Sequence, residues 1–496
     1  MQGMTGDGRA ASPETHGVVK MLKGTQEQEL IWNEMEHGED HMVIKAGAGT
    51  GKTFTIVEGS KLMGGEKAFL CFNKSIAREL EKRLPEDVYA ATFHSMGLRA
   101  IKQQGWCKVD KSKTYKIVER VLGKDYFAVP LVKLVGLMKG SMVDAKDRRS
   151  IARLVDEYHI TFNSDNDEVL AFDNLPRIME LCKDMKTVDF DDMIWCPIVN
   201  NIPLQKYDVL FVDEAQDFNE AQRQLIYRSV EPDGRCIVVG DPNQAIYGFR
   251  GADSSSMDMF VELLKTTNRE VSIFPLTLTW RCPINVVKEA NRYVSNFHCR
   301  EDADLGSVKE NAPLNPVKDD IVLCRYNAPL ATAFYSLLAD GKSAYILGKD
   351  MTKGLVNYVN KVARKKKGMA SGEFITLLGA DFSKNYNRLV VAEKQNQANA
   401  LEDKFNCVSI FATKADTVQG IIDEINRVFS SDGKGEIMLS TIHKAKGLEA
   451  DNVFILATER MPHPKAINPQ EERNICYVGI TRAKKNLFYC GPAPRS

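Results

Sequence analysis

Short apolar runs that lead into longer segments of helical spacing occur in two separate stretches of the chain. One stretch contains the runs at residues 42–45, 207–212 and 235–239, and the other begins with the run at 321–327. Apolar runs of this length, followed by helical patterns, are typical of buried strands in α/β folds. The pattern therefore predicts an α/β protein with two parallel-sheet domains.

Two segments interrupt this alternation. Residues 96–188 are predicted to be a mostly helical insertion, with helical apolar spacing over 111–122, 131–139 and 147–158. Residues 351–435 are predicted to be a shorter insertion, either a small regulatory domain or elaborated helices. The division expected from the sequence is a disordered tail over 1–20, a first domain from 21–95 and 189–275, and a second from 276–350 and 436–496.

Composition narrows the class of protein without identifying it. The 496 residues are 44% hydrophobic and 27% charged, as in ordinary globular proteins, and no apolar run reaches the length of a membrane span. The eleven cysteines form no C-x-x-C pair, which favours a reducing compartment without a zinc or iron–sulfur site. The formal net charge is +0, so a basic surface for nucleic acid must be local. The basic run at 361–367 is either a solvated helix face or a DNA contact.

Residues 46–53 (AGAGTGKT) lie between the first predicted strand and a predicted helix. A glycine-rich turn at this place aims backbone N–H groups and a helix N-terminus at one point, which suits a polyphosphate. Lys52 is expected to reach the β- and γ-phosphates and Thr53 to ligate Mg²⁺. The strict pattern has Gly at position 46, and a glycine-rich turn with an incidental Lys-Thr pair is the alternative. The remaining expected nucleotide contacts are Ala46, Gly47, Ala48, Gly49, Thr50 and Gly51.

Two further segments complete a hydrolytic site. The strand at 207–212 ends in Asp213, expected to hold Mg²⁺, and Glu214, expected to polarise the attacking water. The strand at 235–239 leads to Gln244, expected to sense the γ-phosphate. Beyond it lie aromatic and basic residues suited to base stacking and phosphate binding, with a buried aromatic pair as the alternative. These residues are Tyr247, Phe249 and Arg250.

The segments AGAGTGKT, DEAQD and GDPNQAIYGFRGAD resemble the UvrD/Rep/PcrA branch of superfamily 1 DNA helicases, and further matches follow in the family's order over residues 25–490. The resemblance implies two RecA-like motor domains. It assigns Gln28, with Gln26 as an alternative, to reading adenine. It also places single-stranded DNA against four residues of the first domain: Phe72, Asn73, Thr92 and His94.

The second half continues the resemblance. LTLTWRCP at 276–283 implies adenine stacking on Trp280 and a γ-phosphate contact from Arg281, although the family usually has Asn-Tyr-Arg-Ser where this chain has Thr-Trp-Arg-Cys. STIHKAKGLE at 440–449 implies DNA contacts from Thr441 and His443 and a ribose contact from Glu449. YVGITRA at 477–483 makes Arg482 the arginine finger.

The resemblance implies an ATP- and Mg²⁺-dependent DNA helicase that moves 3′ to 5′ on single-stranded DNA and acts at single-strand/duplex junctions. Replication, repair or recombination is the expected setting, with replication or repair proteins as partners, no membrane, and the cytoplasm of a bacterial cell or phage-infected host as the location. One alternative is a translocase that displaces bound proteins without unwinding. Another is a P-loop enzyme acting on a small molecule.

Overall fold

The computed structural model describes residues 23–495 except 72–73, 124–127, 159, 161, 163, 247–255, 392–394, 430–434, 465 and 467. Its strands are β1 (His41–Ala46), β2 (Lys67–Cys71), β3 (Val88–Thr92), β4 (Lys108–Val109), β5 (Thr187–Val188), β6 (Tyr207–Val212), β7 (Val230–Gly240), β8 (Val271–Leu276), β9 (Leu278–Thr279), β10 (His298–Cys299), β11 (Ser307–Lys309), β12 (Ile321–Cys324), β13 (Ala344–Leu347), β14 (Ile437–Thr441), β15 (Ala450–Leu456) and β16 (Ala483–Tyr489).

The helices alternate with these strands or fill the two insertions. They are α1 (Gln26–His37), α2 (Lys52–Ser60), α3 (Lys74–Leu80), α4 (Phe93–Gln103), α5 (Lys113–Leu122), α6 (Val129–Ser141), α7 (Arg148–Glu157), α8 (Asp165–Cys182), α9 (Phe190–Val199), α10 (Glu220–Arg228), α11 (Ser256–Leu264), α12 (Ile284–Ala290), α13 (Asn327–Ala339), α14 (Lys349–Val362), α15 (Ser371–Val391), α16 (Gln395–Ala412), α17 (Val418–Phe429) and α18 (Pro469–Ile480).

The first sheet has six strands in the order β3-β2-β6-β7-β1-β8, and each pair is parallel. Alternate side chains of its strands enter two separate cores, one containing Val43, Leu210 and Val238 and the other containing Ile44 and Phe211. Because helices cover both faces, the buried stretches at 42–44, 209–212 and 236–239 are apolar on both faces, as the sequence pattern predicted.

A second six-stranded sheet has the order β11-β16-β15-β12-β14-β13 and is also parallel. Its two faces again belong to two cores, with Val322 and Leu439 on one side and Leu323 and Ile455 on the other. The prediction of an α/β fold with two parallel sheets is confirmed.

The two insertions are built differently. Helices α5 to α8 pack around a core that includes Ile117, Leu134 and Ile151 and that α4 and α9 complete, separate from the cores of the first sheet. Helices α14 to α17 instead bury residues such as Phe374 and Phe411 in the same core as one face of the second sheet. The predicted helices of the first insertion occur within one helical turn of their expected bounds.

The carboxyl ends of parallel strands meet at one edge of a sheet, which is where ligands bind in open α/β folds. In the first sheet this edge carries the segments that follow β1, β6, β7 and β8, as well as Thr92 at the end of β3. Among the described residues, no helix combines the length and apolar character needed to cross a membrane. All eleven cysteines are free thiols.

Candidate functional site

The turn between β1 and α2 adopts a conformation that only glycine readily accepts at two positions. Gly49 has φ +69° and Gly51 has φ +84°, both in the left-handed region. A Cβ on Gly49 would also lie 2.5 Å from Cβ of Arg281, so the close approach of the second segment requires glycine as well. α2 then begins at Lys52, which directs its N-terminus toward the same point.

Hydrogen bonds from distant segments fix this turn. The Gly47 N–H donates to Leu276 O at 2.9 Å, and the Trp280 N–H donates to Gly49 O at 2.8 Å. The Thr279 hydroxyl donates to Ala48 O at 2.8 Å. The Ala48 N–H donates to the hydroxyl of Tyr477 on α18 at 2.9 Å. The phosphate loop is therefore held in place by segments of both sheets.

The acidic pair follows β6 directly opposite this turn. The Thr53 hydroxyl donates to Asp213 Oδ2 at 2.8 Å, so the two predicted Mg²⁺ ligands lie side by side. Burial, together with the neighbouring Glu214 carboxylate, raises the pKa of Asp213 above its ordinary value. Oxygen ligands from one or two carboxylates are what Mg²⁺ uses beside nucleotide phosphates, so this pair fits the ion.

Glu214 occupies a left-handed backbone conformation, with φ 57° and ψ 39°. Such a conformation is strained in a residue other than glycine and persists where the surroundings impose it. Burial acts to raise the pKa of this carboxyl, but the charges of Lys52 and Lys446 prevail and lower it. Glu214 is therefore held as a carboxylate, the form that a general base requires.

The segment after β7 forms a 3₁₀ turn, which we call the sensor turn (residues 241–245). Gln244 Nε2 donates to Asp241 Oδ2 at 2.6 Å, and Gln244 Oε1 accepts from Arg482 Nη2 at 3.3 Å. Arg482 is 1% exposed, and burial with the nearby charge of Arg281 lowers its pKa to about 10. The predicted γ-phosphate sensor and arginine finger are thus in contact across the two sheets.

Three other predicted nucleotide contacts, Trp280, Arg281 and Glu449, line a cavity of about 690 Å³ beside the phosphate loop. Trp280 is 51% exposed there, and the Arg300 guanidinium lies 4.9 Å from its ring centroid. Arg281 Nε donates to Glu449 Oε2 at 2.5 Å, so the residue assigned to the ribose is paired with the residue assigned to the γ-phosphate. The cavity wall includes Glu214 but not Asp213, Gln244 or Arg482, which lie behind it.

Gln28 is 2% exposed, and both ends of its amide are engaged. Its Oε1 accepts from the Thr25 N–H at 2.9 Å, and its Nε2 donates to the Thr55 hydroxyl at 3.0 Å. The amide thus closes a capping box at the start of α1 and ties that helix to α2. Adenine reading by Gln28 stays a prediction.

The predicted DNA contacts that the structure describes follow strands β3 and β14. Thr92 caps α4, and the ring of His94 packs at 5.9 Å against the edge of Phe190. Burial lowers the pKa of His94. Thr441 ends β14 and is 8% exposed, with partly buried His443 just beyond it. Phe72, Asn73, Tyr247, Phe249 and Arg250 lie outside the described residues.

Sequence reasoning gave no role to two residues beside His94. Phe190 is 47% exposed at the first position of α9, and the Lys111 ammonium lies 5.5 Å from its ring centroid. An exposed aromatic ring with an adjacent cation is a combination suited to single-stranded nucleic acid. The available signal was an apolar residue set among the acidic residues of DFDD.

Two protein-family models match the chain over more than half of its length. The UvrD/REP helicase N-terminal domain matches residues 27–265, and the UvrD-like helicase C-terminal domain matches residues 383–490. The first match contains the phosphate loop and the acidic pair, and the second contains the predicted arginine finger, Arg482.

Individual relatives are more distant. F-box DNA helicase protein 1 of Schizosaccharomyces pombe is 26% identical over 534 residues, which cover 96% of this chain and 58% of that protein. ATP-dependent DNA helicase PcrA of Bacillus subtilis is 22% identical over 604 residues, which cover 90% of this chain and 80% of the relative. The chain thus spans less than two thirds of the fission-yeast relative. A solved structure, Arterivirus nonstructural protein 10 (helicase), covers 90% of this chain and 59% of its own, with 12% identity and a TM-score of 0.36.

Proposed function

Because this chain belongs to the UvrD/REP family of ATP-dependent DNA helicases, we propose that it is a motor that hydrolyses ATP to move along single-stranded DNA. The observation that carries the proposal is the contact between Gln244 of the first sheet's edge and Arg482 beyond α18. Residues needed for one hydrolytic reaction thereby come from both motor domains. Hydrolysis is then fast only when the two domains close on ATP.

Each site residue has a distinct part in this reaction. The turn at residues 46–51 and Lys52 bind the phosphates, with Thr53 and Asp213 holding Mg²⁺, which would neutralise charge on the phosphoryl oxygens. Glu214 accepts a proton from the attacking water. Gln244, Arg281 and Arg482 contact the γ-phosphate. Trp280, Gln28 and Glu449 bind the nucleoside.

Opening and closing of the cleft moves the DNA-contacting residues at the carboxyl ends of β3 and β14 relative to one another. Sequence-independent contacts at these ends allow the chain to step along a strand, since stacking and phosphate contacts tolerate any base. We propose the 3′ to 5′ direction and unwinding at single-strand/duplex junctions, in replication, repair or recombination. The family assignment supports these finer statements.

A second candidate is a translocase that displaces bound proteins and does not separate strands. The second insertion supports this candidate, because α14 to α17 pack into the core of the second motor domain and do not form a separate unit. The proposed domain division is that given by the sequence, and the free cysteines support the proposed cytoplasmic location.

The experiment is the steady-state ATPase rate with and without a single-stranded oligonucleotide of mixed sequence. Strong stimulation by the strand is expected, and the Lys52→Ala protein, purified in parallel, sets the background from contaminating enzymes. An ATPase rate that does not change when DNA is added would refute the proposal of a DNA motor. A forked-duplex assay beside a streptavidin-displacement assay then distinguishes the two candidates, because displacement without unwinding supports the second.

A further inference from the structure

Three side chains of the second domain form hydrogen bonds with the sensor turn, which belongs to the first domain. Asn474 Nδ2, on α18, donates to Ala245 O at 3.0 Å and to Pro242 O at 3.3 Å. Lys446 Nζ donates to Gln244 O at 2.8 Å and to Asp217 Oδ2 at 2.6 Å. The Tyr477 hydroxyl donates to Asp241 Oδ2 at 3.4 Å. The position of the sensor turn therefore depends on where the second domain sits.

The sensor turn is in turn hydrogen-bonded to Gln216. The Asp241 N–H donates to Gln216 Oε1 at 2.9 Å, and Gln216 is 1% exposed. Gly240 makes this approach possible, because a Cβ at that position would lie 2.6 Å from Gln216 Oε1. A fully buried amide with one fixed partner has little freedom to rotate, so a shift of Asp241 is passed on to Gln216.

The other end of the same amide holds the general base. Gln216 Nε2 donates to Glu214 Oε2 at 2.6 Å. Glu214 itself has a left-handed backbone conformation, which persists where the surroundings impose it. The hydrogen bond from Gln216 is what aims this carboxylate.

We propose that Gln216 and Asn474 are positioning residues that align Glu214 only when the two domains are in contact. Asn474 holds the sensor turn, the turn holds Gln216, and Gln216 holds Glu214. This inference rests on the proposed function and adds to it a second route, besides Arg281 and Arg482, by which domain closure controls hydrolysis. Opening the cleft releases the turn and leaves the base without its aligning hydrogen bond.

Two substitutions break the relay at different links. Asn474→Leu keeps a similar volume on α18 and removes the donor to the turn. Gln216→Met keeps the length of the side chain and removes the donor to Glu214. Gln470→Ala is the matched control, because Gln470 is exposed on the same helix and donates to Asn474 Oδ1 at 2.9 Å without touching the turn.

The measurements are amide hydrogen exchange of the full-length protein without nucleotide, and steady-state ATPase with DNA. Asn474→Leu is expected to speed exchange in peptides covering both residues 240–246 and 214–217. It is also expected to lower kcat about tenfold, as the loss of one or two buried hydrogen bonds implies, with the ATP dissociation constant unchanged. Gln216→Met is expected to lower kcat similarly, and Gln470→Ala to match the unmodified protein.

Unchanged exchange and kcat in both variants would overturn the relay. Faster exchange confined to 240–246, with normal exchange at 214–217, would also overturn it, because the effect would stop before the base. A thermal melt checks folding, and Gln216→Met keeps the test decisive if Asn474→Leu is unstable. An unmodified protein whose ATPase ignores DNA would refute the proposed function instead, while the exchange results would still judge the relay.

Discussion

The helical insertion and the nucleotide cleft each contain a cluster of buried charge, and the two clusters are compensated very differently. In the helical insertion, Lys113 and Lys139 lie 2.7 Å from the two oxygens of Asp192, and Lys139 lies 3.3 Å from Asp189. Although burial favours the neutral amine, Asp192 raises the pKa of Lys139 above its ordinary value. Two ammonium groups and two carboxylates thus neutralise one another, and the cluster ties α5 and α6 to α9.

The nucleotide cleft lacks such balance. Burial raises the pKa of Asp241 and, to about 6, that of Asp217, although Lys446 is in contact with Asp217. Burial also lowers the pKa of Arg482 to about 10, so burial disfavours the charged forms of both acidic and basic side chains there. Buried charge alone therefore does not mark a functional site. The combination that marks the site is buried charge that is poorly compensated and lies beside strained backbone.

The largest effect is expected from Glu214→Gln in the cleft. Loss of the general base should lower kcat by about 10²–10⁴-fold, since general base catalysis contributes that much. Nucleotide binding should persist, because Lys52, Thr53 and Asp213 remain. Stability should fall modestly, because Lys52 and Lys446 lower the pKa of Glu214 and the substitution removes the carboxylate that they stabilise. Single-turnover hydrolysis, nucleotide titration and a urea melt measure the three quantities.

Lys139→Met in the insertion should lower stability and leave ATP binding unchanged. Removing one partner of a buried ion pair leaves uncompensated carboxylates, and the free energy of unfolding should fall by about 3–5 kcal/mol. The ATP dissociation constant should not change at temperatures where the protein is folded. Lys116→Met is the control, since Lys116 is 64% exposed in its pair with Asp110 and should cost little. An unchanged free energy of unfolding in Lys139→Met would contradict the structural role of this cluster.

Much of the cleft could be predicted from sequence because its residues follow directly from strand ends. The apolar runs set the strands, parallel strands share one carboxyl edge, and Lys52, Asp213 and Gln244 lie within a few residues of that edge. The local pattern was also sufficient to predict α5, α6 and α7 of the first insertion, although α8 was not predicted. The glycine-rich turn was expected from the sequence, and the structure adds that Gly49 and Gly51 have left-handed backbone conformations.

Contacts between the sheets could not be predicted in this way. Asn474 and Ala245 are 229 residues apart, as are Lys446 and Asp217, so their pairing depends on how two separately formed sheets dock. The packing of α14 to α17 against the second sheet likewise depends on tertiary contacts that the local sequence pattern does not show. The engaged amide of Gln28 did have a signal, since Thr-x-x-Gln before an apolar helix is a capping-box pattern.

His41, at the start of β1, shows a third way to bury an ionisable group, which is to keep it neutral. Burial, with Arg269 and Arg235 nearby, lowers its pKa to about 4. The folded state therefore binds the proton more weakly than the unfolded state does. Its contribution to stability is fully present above pH 6.5 and is lost as pH falls toward 4, on the order of 3 kcal/mol in total.

His41→Asn isolates this effect, because the Asn amide can replace the ring nitrogen that accepts from the Cys236 N–H at 3.0 Å. Urea melts between pH 7 and pH 4 should show a smaller loss of stability for the variant than for the unmodified protein. Parallel pH profiles for the two proteins would show that the proton binds elsewhere.

The smallest effect should come from Trp280 at the mouth of the cleft, where no charge is buried. Trp280→Ala removes an aromatic face that is 51% exposed, and the ATP dissociation constant should rise about two- to tenfold, the range expected for one stacking contact. Trp280→Tyr keeps a face and should restore most of the affinity. Trp106→Ala is the control, because Trp106 is 78% exposed in the helical insertion. Equal ATP affinity in the two alanine variants would mean that the base does not stack on Trp280, whereas a selective loss would show that the open rim of the cleft contributes to affinity while its buried charges govern the rate.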